Sequence, residues 1–280
     1  MAQLTPEQLA QFERDGFLVI EDFCAAAECD RLRERADELV KGFDPQVVSI
    51  FSTHEQTRTS DDYFLESGDK IRFFFEEDAF NSEGKLRQSK ERSINKIGHA
   101  LHDLDAVFAE FSRKDEIAGI VSDLGLSRPL LLQSMYIFKQ PNIGGEVTCH
   151  QDATFLYTEP RGSVVGLWFA LEDATRENGC LLAIPGGHKA GLKSRFMRAK
   201  EGGTRFEVFD DTLWPLDRLV PLEVKKGALI ILHSLLPHMS YANTSPKSRH
   251  AFTLHIMDGH CHYPSDNWLQ RSAALPLRGF

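Results

Sequence analysis

Paired cysteines, long apolar runs and excess positive charge are all scarce in these 280 residues. The five cysteines, at positions 24, 29, 149, 180 and 261, form no CxxC pair and are odd in number. That pattern argues against a disulfide framework or a zinc ribbon and fits a reducing compartment. No apolar stretch approaches the roughly eighteen residues of a membrane span, and MAQLTPEQLAQFERDG lacks the basic start and apolar stretch of a secretory leader. The last residues, Leu277-Arg278-Gly279-Phe280, are not an SKL-type peroxisomal address, so a cytoplasmic location is expected. A net charge of -9 argues against nucleic acid or an anionic membrane as a partner and points to small molecules. There is no Gly/Ser linker, internal repeat or Gly-x-Ser-x-Gly elbow, which leaves a serine hydrolase without support.

What is present suits one domain over residues 1–280, with 42% hydrophobic and 26% charged residues. Thr5-Pro6-Glu7-Gln8 is a capping box with proline at the first helical position, predicting a helix to about Asp15 that stops at Gly16. A strand over Phe17–Ile20 follows, then a helix from about Ala25 to Lys41 closed by Gly42, and further helical patterns over Ile97–Arg113 and Asp115–Leu124, with Gly125 as a stop. After Pro129 the character changes. Residues 130–138, 164–171, 180–184, 229–233 and 250–257 are short β-rich or apolar runs separated by Gly, Pro, Asn and Asp. The expected class is α+β with a mainly β core, a sandwich or barrel over about 129–280 supported by a helix-rich segment to about residue 128. Within Phe51–Arg92, Phe73-Phe74-Phe75 is expected in the core, and whether the segment forms a lid stays open.

The stretch GGEVTCHQDATFLYTEP, residues 144–160, carries the chemistry. Its β-branched and aromatic residues predict a strand, on which His150 and Asp152, at i and i+2, leave the same face and can converge on one ion. Cys149 then points to the opposite face and is expected to be a small buried apolar residue. A third ligand must come from the β region, where His188, His233, His238, His250 and His255 are candidates. Arg249 opens the next strand, and its rigid fork suits the carboxylate of an organic acid. Two histidines and one carboxylate on one face of a metal are the arrangement of non-heme Fe(II) oxygenases.

GEVTCHQDATFLYTEP, with SINKIGHALH, QSMYIFKQP, GLWFALEDATRENGCL, IPGGHK and NWLQR, resembles the phytanoyl-CoA dioxygenase family over nearly the whole chain. The resemblance implies a double-stranded β-helix, or jelly roll, with flanking helices, and Fe(II) held by His150, Asp152 and His238. It implies that Arg249 pairs with the distal carboxylate of 2-oxoglutarate, and that Lys96, Met135, Trp168 and Ser240 line the co-substrate pocket. Two departures stand out. Many relatives have a serine two residues after the arginine, where this chain has Arg249-His250-Ala251, so either Ser240 supplies the missing hydroxyl or the co-substrate has one bond fewer. Many also read Pro-Gly-Ser-His where this chain has Pro185-Gly186-Gly187-His188, a change expected to affect only a turn.

The implied reaction consumes O2 and 2-oxoglutarate, releases succinate and CO2, and hydroxylates a substrate, with ascorbate as a supporting reductant. An acidic residue at position 152 favours hydroxylation, since related halogenases carry a small residue there. The family name suggests an acyl-CoA substrate, and Lys193, Arg195, Arg198 and Lys200 are candidates for its phosphates; a solvated basic face is the other reading. The missing peroxisomal address favours a different small molecule. A metal-binding jelly roll without turnover is the competing class, and Arg249 speaks against it because a structural metal has no use for it.

Overall fold

Thr5 Oγ1 accepts from the Gln8 amide while Gln8 Oε1 accepts from the Thr5 amide, the reciprocal box that starts helix α1 (Pro6–Asp15). Gly16 ends it at φ 82°, and strand β1 (Phe17–Ile20) follows directly. This computed structural model describes residues 2–45, 47–54 and 60–280. Helix α2 (Ala26–Gly42) buries Cys29, Leu32, Ala36 and Val40, spaced three or four apart, in the main apolar core. Then come α3 (Asp62–Leu65), β2 (Ile71–Phe75), β3 (Ile94–His99), α4 (Leu101–Leu104), α5 (Ala106–Ser112) and α6 (Asp115–Asp123). The rest of the chain supplies β4 (Pro129–Ile137), β5 (Val147–His150), α7 (Asp152–Phe155), β6 (Val164–Ala170), β7 (Leu181–Ala183), β8 (Ser194–Arg198) and β9 (Thr204–Val208). It ends with β10 (Val220–Leu222), β11 (Leu229–His233), β12 (His238–Ser240) and β13 (Ala251–Asp258).

The strands form a seven-stranded sheet in the order β1-β11-β6-β13-β4-β3-β2, a four-stranded sheet β10-β7-β12-β5, and a hairpin β8-β9. The two larger sheets make the jelly roll expected from sequence, with the helices α2, α5 and α6 contributing to the core outside the large sheet. The first 128 residues do more than support it, because β1 pairs with β11 and β3 with β4.

Two expectations need correction. The helix predicted from Ile97 begins only at Leu101, since Ile94–His99 is a strand between β2 and β4 with all six residues buried. A segment covered on both faces has no amphipathic period to separate strand from helix. The strand predicted through Tyr157 stops at His150, and Asp152 opens a helical turn. The cause is tertiary: Ala153 N donates to Ser234 O, and the Gln151 amide donates to Gly191 O and Leu235 O, drawing the chain out of the ladder. Phe73, Phe74 and Phe75 do lie in the core, on β2. Residues 55–59 of the candidate lid lie outside the described residues.

A buried clasp ties the C-terminal segment to this frame. The Asp103 side chain is 1% exposed and pairs with Arg113 at 2.6 Å, with His102 at 3.3 Å and with Arg271. Burial pushes its carboxyl up, but His102, Arg113 and Arg271 outweigh that and hold it well below the usual range. Asp103→Ala, which leaves buried cations without an anion, is expected to cost about 3–5 kcal/mol at neutral pH in urea unfolding. Because the folded carboxyl titrates lower than the unfolded one, its contribution is fully present above the ordinary carboxylate range, and the gap between wild type and variant closes as pH falls from that range to the lower folded value. A loss under about 1 kcal/mol at neutral pH would remove the clasp from the list of stabilising elements.

Candidate active site

His238 on β12 lies directly opposite His150 on β5 in the antiparallel register, so one cross-strand pair presents both rings side by side at a 4.4 Å centroid separation. The backbone repeats itself at the two positions. His150 Nδ1 donates to Thr148 O at 2.8 Å, and His238 Nδ1 donates to Leu236 O at 3.0 Å. A carbonyl can only accept, so each ring keeps its proton on Nδ1 and turns a lone pair on Nε2 outward. Burial, then the neighbouring His150, push the His238 imidazole down to about 4, keeping that ring neutral.

Gln151 is extended, at φ -115° and ψ 136°, so Asp152 still emerges on the side of His150 even though the strand has ended. Its Oδ1 stands 3.7 Å from each of the two Nε2 atoms. The three ligand atoms lie within 4.8 Å of one another, the one such group of three or more found among the described residues. Two imidazole nitrogens and a carboxylate oxygen on one side of a cavity fit a first-row divalent metal with further positions open.

The other carboxylate oxygen shows how the large sheet contributes. His255 Nε2 stands 3.2 Å from Asp152 Oδ2, an electrostatic contact without the alignment of a hydrogen bond. Burial pushes the Asp152 carboxyl up, yet His255 and His238 overcome it and keep it well below the usual range. Gly166 sits beside His255 in the register of β6 and β13, and a Cβ there would lie 3.0 Å from Asp152 Oδ2. The glycine is what lets the carboxylate reach this depth.

The remaining residues expected from sequence surround the same cavity of about 170 Å³: Lys96, Met135, Trp168, Ser240 and Arg249 all line it. Arg249 is 2% exposed, donates from Nε to Gly179 O at 3.0 Å, and stands 5.2 Å from the centre of the Trp168 ring. Its Nη1 is buried without a partner. Lys96 Nζ lies 3.4 Å from the centre of the Phe51 ring and 3.9 Å from Met135 Sδ, and burial pushes its amine down to about 7. Ser240 Oγ accepts from Lys139 Nζ at 2.9 Å.

Other candidate histidines are used elsewhere. His188 and His233 pack on each other at 4.9 Å, and His250 Nδ1 meets the Tyr136 hydroxyl at 2.8 Å. Gly187 opens a 3-10 turn in which a Cβ would stand 2.7 Å from Pro237 Cδ, beside His238, so the departure at this position relieves a close contact. Sequence reasoning passed over Gly166, Lys139 and the part played by His255. The alternation of β13 held a clue to the last, since residues two apart from Arg249 share its face, and Thr253 and His255 do line the cavity.

A jelly roll with this two-histidine, one-carboxylate centre defines the non-heme metal oxygenase class. Within that class, the chain belongs to the phytanoyl-CoA dioxygenase (PhyH) family, which matches residues 12–251. It is 51% identical to phytanoyl-CoA dioxygenase of Arabidopsis thaliana over 272 residues, covering 96% of this chain and 94% of the relative. It is 48% identical to phytanoyl-CoA dioxygenase domain-containing protein 1 of Mus musculus over 288 residues, covering 99% and 98%. The fold is also that of the crystal structure of EctD from S. alaskensis with 2-oxoglutarate and 5-hydroxyectoine, at TM-score 0.66, 21% identity and coverage of 94% of this chain and 79% of that one. The non-heme alpha ketoglutarate dependent carbocyclase SnoK from nogalamycin biosynthesis matches it at TM-score 0.65 and 20% identity, covering 99% and 98%.

Gly166→Ala tests how the sheet positions the carboxylate. Metal affinity, measured by titration of the metal-free protein, is expected to fall about tenfold or more as Asp152 is displaced. Unchanged affinity would show that the carboxylate does not need the space.

Proposed function

We propose that the protein is an Fe(II)- and 2-oxoglutarate-dependent hydroxylase of a small, largely apolar substrate, with His150, Asp152 and His238 as the iron ligands. The observation that carries this reading is the convergence of three ligand atoms next to a buried arginine with an unspent donor. Iron and 2-oxoglutarate supply the oxidising chemistry, in which O2 is consumed, succinate and CO2 leave, and a substrate C–H becomes C–OH. The chain's own residues orient and exclude. The Nδ1 bonds to Thr148 O and Leu236 O fix the ligand rings, and Arg249 and Ser240 receive the distal carboxylate of the co-substrate. Met135 and Trp168 form the walls along it, and Phe51, Phe64, Phe155 and Trp268 keep water from the rest of the cavity.

Cavity size bears on the substrate. A space of about 170 Å³ is close to the roughly 150 Å³ engineered cavity that takes one benzene, and 2-oxoglutarate must share it. Three of the four basic side chains that were candidates for CoA phosphates are already engaged, Lys193 with Asp210, Arg195 with Asp266 and Asn267, and Arg198 with Trp268 O and Leu65 O, and only the exposed Lys200 is left. Both observations favour a small molecule. The 51% identity to a protein named phytanoyl-CoA dioxygenase favours the second reading, an acyl-CoA whose chain reaches the metal from outside.

Metal-free protein reconstituted anaerobically with Fe(II), then given O2 and 2-oxoglutarate, is expected to release succinate, with ascorbate sustaining turnover. Asp152→Ala is expected to abolish it, and retention of activity would sink the ligand assignment. Adding phytanoyl-CoA separates the substrate readings: stimulated succinate release supports the acyl-CoA, whereas an unchanged rate supports the small-molecule reading.

A further inference from the structure

Lys139 is buried next to the cavity, at 2% exposure, although nothing in the reaction outlined above uses it. Its placement is unfavourable by any local measure. The backbone takes φ 41°, a left-handed conformation that a lysine rarely adopts, and burial, then the nearby Arg249, push its amine down to about 7. The surroundings are shaped to accept it. A Cβ on Gly179 would stand 2.7 Å from Lys139 Cε, and the carbonyl of that same Gly179 accepts from Arg249 Nε. One glycine thus makes room for the first cation and anchors the second.

The hydrogen bonds around the pair are unbalanced in one direction. Lys139 Nζ donates to Gly145 O at 2.6 Å and to Ser240 Oγ at 2.9 Å, leaving one of its three N–H groups unspent. Because Ser240 Oγ already accepts from lysine, its own hydrogen is free to be donated, and no acceptor for it exists among the described residues. Arg249 Nη1 is a third unspent donor. Facing the two basic groups is the buried Glu76, whose carboxyl burial pushes up and whose Oε2 accepts from Asn95 Nδ2 at 2.8 Å and Gly145 N at 3.1 Å. Glu146 and Glu172 act on the pair only through longer-range attraction. A corner with three spare donors is completed by one carboxylate, which accepts only and whose charge would hold the lysine protonated.

We propose that Lys139 is a positioning residue for the distal carboxylate of the co-substrate, setting the polarity of the Ser240 hydroxyl and adding a second cation beside Arg249, and so selects dicarboxylic over monocarboxylic 2-oxo acids. The proposal rests on the reading that the co-substrate lies along Arg249. The test is calorimetric titration of the Fe(II)-loaded protein, without O2, by 2-oxoglutarate and by 2-oxobutanoate, which shares the chelating end and lacks the distal carboxylate. Lys139→Met is expected to weaken 2-oxoglutarate roughly tenfold or more, the worth of a charged hydrogen bond, while 2-oxobutanoate binding stays unchanged. Ser240→Ala is expected to weaken the same ligand selectively, and the double variant to lose less than the product of the two single losses, since the lysine acts through the hydroxyl. Equal weakening of both acids in Lys139→Met would mark the lysine as merely structural and overturn the proposal, as would no weakening of either. Should Lys139→Met fail to fold, Ser240→Ala alone decides, with undiminished 2-oxoglutarate affinity overturning the proposal. Wild-type protein that loads Fe(II) but binds neither acid would instead remove the underlying co-substrate reading.

Discussion

The antiparallel pairing of His238 with His150 is the constraint on which the site depends. It sets two imidazoles side by side at a fixed spacing, and the carbonyls of Leu236 and Thr148 then decide which nitrogen of each ring faces the cavity. A slip of one residue in β12 would turn His238 to the other face of the sheet and leave His150 and Asp152 without their third partner. The smaller sheet has only four short strands, so its register is reinforced from outside. Gln151 does part of this, bridging Gly191 O and Leu235 O in the segments that flank the neighbouring strands.

The larger sheet supplies depth and charge balance. A buried carboxylate would ordinarily take up a proton, and His255 and His238 prevent this at Asp152. Gly166 leaves the space, His255 the electrostatic contact, and the two are neighbours in one cross-strand rung. Two residues along, Trp168 lies opposite Thr253, and Thr253 opposite Met135, so this wall of the cavity is a direct continuation of the same pairing. Site and fold are therefore set by the same hydrogen-bond ladder, and strain introduced at one rung is felt at the next.

Much of this was legible in the sequence, for physical reasons that differ by element. The capping box at Thr5 and the left-handed Gly16 are local, and local chemistry gave α1 correctly. His150 and Asp152 were placed together by strand parity, and they do converge, although Asp152 heads a helical turn and owes its direction to the extended Gln151. Ile94–His99 was illegible because burial on both faces erases the period that separates strand from helix. Lys139 and Gly166 were illegible for another reason: their meaning lies in what stands across the fold, Ser240 and Gly179 for one, Asp152 for the other. No spacing along the chain encodes such a contact.

The wall on the substrate side shows how the same frame could serve different molecules. Phe155 packs on His150 at 5.9 Å and, away from the metal ligands, on Phe196 at 5.5 Å and Phe206 at 6.4 Å. Phe206 belongs to the β8-β9 hairpin, which pairs with neither of the larger sheets, and it is 39% exposed. A continuous aromatic path thus runs from the His150 ring to a hairpin, exposed along β9, whose residues are free of the register that pairs His150 with His238. Substitutions there reach the cavity only through Phe155, without touching His150, Asp152 or His238, so the shape of the wall can vary while the chemistry is kept. The basic side chains at the root of the hairpin, Arg195 and Arg198, are engaged by Asp266, Asn267, Trp268 O and Leu65 O, which ties that root to the C-terminal segment. What Phe51, Phe64, Phe155, Leu156 and Trp268 present to the cavity is mainly shape and apolar contact, and its charged groups lie elsewhere, at Lys96, Lys139 and Arg249.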